Sequence, residues 1–258
     1  MKFTKIPTET KVIPSAQPLF HQGGEEAVLL IHGHRGYPAE FFYFYGQLIE
    51  AGFTISLPRL PGHGTNRFDF HESGHRDWLR SVTDEYLNLK GRYKKVYIAG
   101  LSMGAVLTLL LAEQFQPDKI ALLAPALTIR KKLFYMAPYL KYFIKYFKSE
   151  WTPEDEQKED RKKLGREYWA SYDTAKMHDL LILQKMAVKK LGDVSCPALT
   201  IVSLGDKTVP SEVADIIEKN ISSKELKRVV LKESPHVIVD GCDKEQVAEE
   251  VIAWFKGK

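Results

Sequence analysis

Short apolar runs of strand length recur along the chain, at residues 27–31, 53–57, 96–99, 120–124, 198–203 and 228–231. The runs at 27–31 and 120–124 are apolar throughout, which suits parallel strands buried on both faces. Between the runs lie stretches with the repeat of an amphipathic helix: 38–50, opened by Pro38 and closed by Gly52, then 77–90, 105–114, 211–220 and 244–255. Trp78, Val82, Tyr86 and Leu89 carry the repeat in the second of these, and Val247, Val251, Ile252 and Phe255 in the last. Strand and helix alternate, so the pattern predicts an α/β fold with a mostly parallel central sheet flanked by helices. The first 26 residues have no helical period and read as an extended leader along the domain surface, ending at the turn signal Gly23-Gly24.

The alternation lapses between residues 125 and 191, a stretch with no strand signal that predicts a helical cap inserted within a single domain spanning 1–258. Phe134, Tyr135, Tyr139, Tyr142, Phe143, Tyr146 and Phe147 recur there at helical spacing, with Lys141, Lys145 and Lys148 on another face. Such a helix roofs an apolar pocket, with Tyr142 and Phe143 as substrate-binding candidates, or rests weakly on a membrane surface, or packs its aromatics on the core. Residues 150–167 mix both signs of charge and read as a solvated stretch with a helix opened by Thr152 and Pro153.

Composition narrows the class. A chain of 258 residues suits one large domain, and a net charge of +4 without a basic stripe argues against nucleic acid as a partner. Cys196 and Cys242 are too few for a disulfide framework and fit a reducing compartment. Pro7, Pro14 and Pro18 interrupt a polar N-terminus that lacks the apolar core of a signal peptide, and no run is long enough to span a bilayer. The expected location is cytoplasmic.

The chemistry collects in loops that follow strands. Gly100-Leu101-Ser102-Met103-Gly104 stands between a strand and a helix, the context a nucleophile elbow requires. Asp206 lies in the loop after 198–203, and His236 in the loop after 228–231. All three loops fall at the carboxyl edge of the sheet, where open α/β folds place their ligands. Ser102, Asp206 and His236 therefore follow the order nucleophile, acid, base. Serine needs a base to take its proton as it attacks, and an imidazole needs a carboxylate to orient it and stabilise its protonated form. Asp240, four residues past the histidine, is the competing acid, although 237–239 would carry it away from the ring. The glycine-rich loop His32-Gly33-His34-Arg35-Gly36 offers the His34 backbone N–H, which with that of Met103 would form an oxyanion hole. His63 and His71 read as loop histidines bonded to backbone.

The His32-Gly33 loop, residues 57–65 (LPRLPGHGT), 100–104 (GLSMG), 196–199 (CPAL), Asp206 with Val209-Pro210, and His236-Val237 together resemble the bacterial monoacylglycerol lipases and related thermostable carboxylesterases. The resemblance runs from about residue 19 to the C-terminus. It implies a capped α/β-hydrolase without cofactor or metal, acting on carboxylic esters with short or medium acyl chains or on monoacylglycerols. It assigns Ser102 as nucleophile, Asp206 as acid, His236 as base, and His34 and Met103 as oxyanion donors. The family usually carries an aromatic residue where His34 stands, a second glycine where Ala105 stands, and a different cap sequence. Cinnamoyl-type esterases, thioesterases and serine peptidases use the same parts, and a non-catalytic binder would share the fold while commonly losing a triad member.

Overall fold

The computed structural model describes residues 10–149, 159, 162 and 165–257; the helix start expected at Thr152 and Pro153 lies outside them. Among the described residues the strands are β1 (Leu19–His21), β2 (Glu26–Ile31), β3 (Thr54–Leu57), β4 (Lys95–Leu101), β5 (Lys119–Leu123), β6 (Tyr146–Lys148), β7 (Ser171–Asp173), β8 (Ala198–Ser203) and β9 (Leu226–Leu231). Seven of them form one sheet in the order β1-β3-β2-β4-β5-β8-β9, parallel throughout except for β1. The helices are α1 (Phe42–Glu50), α2 (Arg67–Glu72), α3 (His75–Lys90), α4 (Met103–Phe115), α5 (Ala137–Leu140), α6 (Thr174–Lys190), α7 (Val213–Asn220) and α8 (Lys244–Lys256).

Two cores explain why β2 is apolar at successive positions. Side chains alternate across a strand, so Leu29 and Ile31 enter the core shared with α3, α4, α6 and α7, while Val28 and Leu30 enter the one shared with α1 and α8. Trp78, Val82, Tyr86 and Leu89 are all buried on the first side, as their spacing requires. Val247, Val251 and Phe255 are buried on the second, with Ile252 packed at its margin. α4 lies against the sheet and is apolar on nearly every side, and it is buried from Met103 to Ala112.

Three elements differ from expectation. The leader is part of the sheet, because Leu19, Phe20 and His21 pair antiparallel with Leu57, Ser56 and Ile55 at the edge. α2 fills part of what reads as loop, its start fixed by the Asn66 side chain accepting from the N–H groups of Phe68 and Asp69 at 3.0 Å each. The third difference is the aromatic stretch. Phe134 lies in a 3₁₀ turn (Lys132–Met136), α5 lasts four residues, and Tyr146–Lys148 is a strand paired antiparallel with Ser171–Asp173. The residues 134–147 are thus not one helix, and the segment between β5 and β8 holds two short strands.

That segment is fastened to the core by polar ties. Asp173 caps α6 through Oδ1, which accepts from Ala175 and Lys176 N–H, while Oδ2 bonds His71 Nδ1 at 2.5 Å. His71 thereby pairs with a carboxylate instead of the backbone partner its loop position suggested, because α2 turns it toward the inserted segment. The buried Lys176 bonds Asp179 at 2.7 Å and the Ser73 carbonyl, and Asp179 also meets His75 at 2.5 Å. Both cysteines are free. Among the described residues no helix is long and apolar enough to cross a membrane.

Candidate active site

β4 ends at Leu101 and α4 begins at Met103, so Ser102 alone makes the reversal, at φ 57° and ψ −114°. A non-glycine residue at positive φ is strained, and the surroundings must hold it there. Here the Ser102 N–H donates to the Leu123 carbonyl at 2.8 Å, and its own carbonyl accepts from Ala105, Val106 and Ala126. The flanking glycines admit the close approach. A Cβ at Gly104 would strike the Ile31 carbonyl, and one at Gly100 would strike the Gly104 carbonyl and the Thr108 hydroxyl.

The loops after β8 and β9 bring two further side chains to Ser102. His236 Nε2 lies 2.8 Å from Ser102 Oγ, and its Nδ1 lies 2.7 Å from Asp206 Oδ2. Asp206 Oδ1 accepts from the backbone N–H groups of Thr208 and Val209 at 2.7 and 3.0 Å. Burial raises the Asp206 pKa, but the hydrogen bond and charge of His236 together with the two backbone donors outweigh it and hold the carboxyl below its ordinary value. Both ring nitrogens of His236 are occupied by Ser102 and Asp206, and Asp240 is exposed in the following turn. The His236 loop is itself pinned: Ser203 Oγ donates to the Ser234 carbonyl, and Ser234 and Asp243 exchange side-chain to backbone bonds.

The loop after β2 faces this group. Gly33 packs against the Ser102 side chain. His32 Nε2 accepts from the Leu60 N–H at 3.0 Å, so its Nδ1 carries the proton and donates to the Gly33 carbonyl. His63 works alike, accepting from the Arg35 N–H and donating to the Pro61 carbonyl. Two buried imidazoles thus brace the backbone on either side of His34. Burial drives the pKa of His32 down to about 4 and that of His63 well below the usual range, so both are neutral. The His34 ring rests against both Phe70 and Trp78, with its Nε2 buried and unbonded. Burial, with the Arg35 charge, lowers its pKa to about 3. Among the described residues neither the His34 nor the Met103 backbone N–H is taken up by a hydrogen bond within the fold.

Over Ser102 and His236 opens a cavity of about 440 Å³. Its apolar wall comes from the inserted segment: Ile129, Leu133, Phe134, Phe147, Tyr172, Met177 and Leu180. Tyr142 and Phe143, expected in this lining, are 76% and 87% exposed and take no part in it. The chain bends at α5 and again into β6, which turns Phe147 inward and leaves the residues between on the outer surface. Arg35, Lys131, Lys148 and Lys207 also line the cavity. The sequence marks Lys148 only as part of a lysine face, and gives no sign that Arg35, Lys131, Lys207, Met177 and Leu180 line a cavity, because they stand in separate segments with no shared local motif. Among the described residues no cluster of His, Cys, Asp or Glu could hold a metal ion.

A serine on a sharp strand-to-helix reversal, then a carboxylate, then a histidine, presented in this chain order at the carboxyl edge of such a sheet, define a class of hydrolase built on one scaffold. The chain belongs to the alpha/beta hydrolase family, whose model matches residues 28–250. It is 34% identical over 250 residues to a thermostable monoacylglycerol lipase of Bacillus sp. strain H-257, covering 95% of this chain and 96% of that protein. It is 26% identical over 248 residues to a carboxylesterase of Bacillus subtilis strain 168, covering 95% and 98%. Among solved structures, one described with the metagenome-derived lipolytic enzymes LipS and LipT superposes with a TM-score of 0.86 at 26% identity, over 96% of this chain and all of that one.

Proposed function

We propose that this ester-hydrolysing member of the family is a serine carboxylesterase that cleaves short or medium acyl esters, monoacylglycerols among them, through an acyl-enzyme on Ser102. The reading is carried by the unbroken hydrogen-bond chain from Ser102 Oγ through His236 to Asp206, lying at the floor of an apolar cavity. Ser102 Oγ attacks the ester carbonyl as His236 Nε2 takes its proton. The same proton then passes to the departing alkoxide, and water repeats the sequence to release the acid. Asp206 holds the ring in the tautomer that leaves Nε2 free to accept, and stabilises the imidazolium. The backbone N–H groups of His34 and Met103 receive the oxyanion, helped by the positive end of α4. Residues 125–191 act as the cap that shelters the acyl chain. The exposed aromatic face of that cap, with Tyr139, Tyr142 and Phe143 beside Lys145, gives it a weak hold on a lipid surface.

The deciding experiment is labelling with a fluorophosphonate followed by peptide mass analysis. The adduct should sit on Ser102, and Ser102→Ala should neither label nor turn over an activated ester. Substantial turnover by the alanine variant would sink the reading. Parallel kinetics on matched ester, thioester and amide substrates rank the bonds the site prefers.

A further inference from the structure

Among the described residues, the charged groups that line the cavity over Ser102 are all of one sign. Arg35 comes from the loop after β2, Lys131 from the segment after β5, Lys148 from the end of β6, and Lys207 from the loop that carries Asp206. No Asp or Glu stands among the described lining residues. The chain as a whole has 37 Lys and Arg against 33 Asp and Glu, so this one-signed lining departs from its overall balance. The cations serve different purposes. The Arg35 guanidinium donates to the Trp169 carbonyl at 2.6 Å and stacks 4.2 Å over the Tyr172 ring, a fixed positive charge within the wall. Lys148 and Lys207 are exposed on other segments of the lining, and neither makes an ion pair or hydrogen bond through its side chain among the described residues. Their charge is available to whatever enters.

An apolar cavity walled by low-dielectric side chains focuses such a field and raises the local concentration of anions by about 10- to 10³-fold. A neutral ester gains nothing from it. Resting on the esterase reading above, we propose that the preferred substrates are esters bearing a second, anionic group, a carboxylate or a phosphate, which Lys148 and Lys207 receive while the scissile carbonyl lies at Ser102. The hydrolytic step itself is unchanged: water is consumed, one ester bond breaks, and an acid and an alcohol leave.

The test compares two matched pairs at low ionic strength. Ethyl hexanoate against monoethyl adipate places a carboxylate on the acyl side, and hexanoylglycerol against its phosphate monoester places the anion on the alcohol side. The anionic member of at least one pair should show kcat/KM about tenfold or more above its neutral partner. That ratio should fall about tenfold in K148E/K207E, and should shrink in the wild type as salt is raised. Which pair responds tells whether the anion belongs to the acid or the alcohol. Ratios of one or less in both pairs overturn the proposal, as does a ratio above one that neither the double variant nor salt reduces. Absence of turnover of all four esters by the wild type would instead strike the esterase reading, which separates the two failures.

Discussion

Acidification should destabilise this protein through the histidines that brace the loop carrying His34. His32 is fully buried, with Nε2 accepting from Leu60 N–H and Nδ1–H donating to Gly33. A second proton would have to displace the Leu60 donor and place a charge 5.0 Å from the His63 ring, which is equally buried. Unfolded, the imidazole titrates near 6.5; folded, it titrates near 4. Because the folded pKa is depressed, the unfolded chain binds the proton first. Stability therefore falls as pH drops below 6.5 and stops falling, for this residue, below about 4. At about 1.36 kcal/mol per pH unit, His32 alone removes about 2 kcal/mol between pH 8 and pH 5, or about 4–8 °C in Tm for a domain of this size. His63 acts in the same direction. The assay is the melting temperature from pH 8 to 5, by calorimetry, for the wild type and His32→Gln, whose amide offers one donor and one acceptor but takes up no proton in this range. The difference in slope isolates the residue from every other titrating group. Parallel curves for the two proteins would refute the argument, since a histidine already charged in the folded state contributes no such slope.

Asp206→Asn should cost about 10³–10⁴ in kcat on an activated ester, as expected when the imidazole loses its orienting carboxylate, and Asp240→Asn less than about tenfold; the reverse ranking would move the acid to Asp240. Phe147→Ala should shift the preferred acyl chain length while Phe143→Ala should not, because only the first lines the cavity. A profile of kcat/KM against chain length checks both, and a uniform fall for Phe147→Ala would remove it from the pocket. Replacing Tyr142 and Phe143 by Ser should lower co-sedimentation with anionic lipid vesicles, and unchanged sedimentation would free the outer face of the segment from a lipid role. Asp173→Ala, which removes both the α6 cap and the His71 tie, should expose the segment to limited proteolysis at temperatures where the sheet is intact, and equal protection in both proteins would deny it an anchoring role.

How far the sequence discloses this molecule depends on how local the causes are. β2 and β5 are legible because burial on both faces demands apolar residues at successive positions, 27–31 and 120–123. The Ser102, Asp206 and His236 loops are legible because glycine and proline mark the places where a buried strand must end. β1 is not, since Leu19, Phe20 and His21 become a strand only through their pairing with β3. The aromatic stretch misleads for a related reason. Its spacing fits a helix, yet Phe147 is committed to pairing with Tyr172, and the Lys145 carbonyl accepts from the Thr174 N–H and hydroxyl. Contacts across some 25 residues override a period that local propensity would satisfy.

The same distinction separates catalysis from selectivity. The groups proposed to make and break bonds sit on three strand-ending loops whose local sequence announces them, and their geometry follows from the sheet. The charged groups that line the cavity come from segments far apart in sequence: Arg35 in the loop after β2, Lys148 at the end of a three-residue strand, Lys207 next to Asp206. Two proteins could share every motif of this chain and differ in the sign of the field over the serine. If charge at the cavity mouth governs which ester enters, exchanging Lys148 and Lys207 for glutamate should redirect the enzyme among substrates without altering the order Ser102, Asp206, His236. Comparing relatives by those mouth positions would then sort their substrates better than comparing them by the elbow.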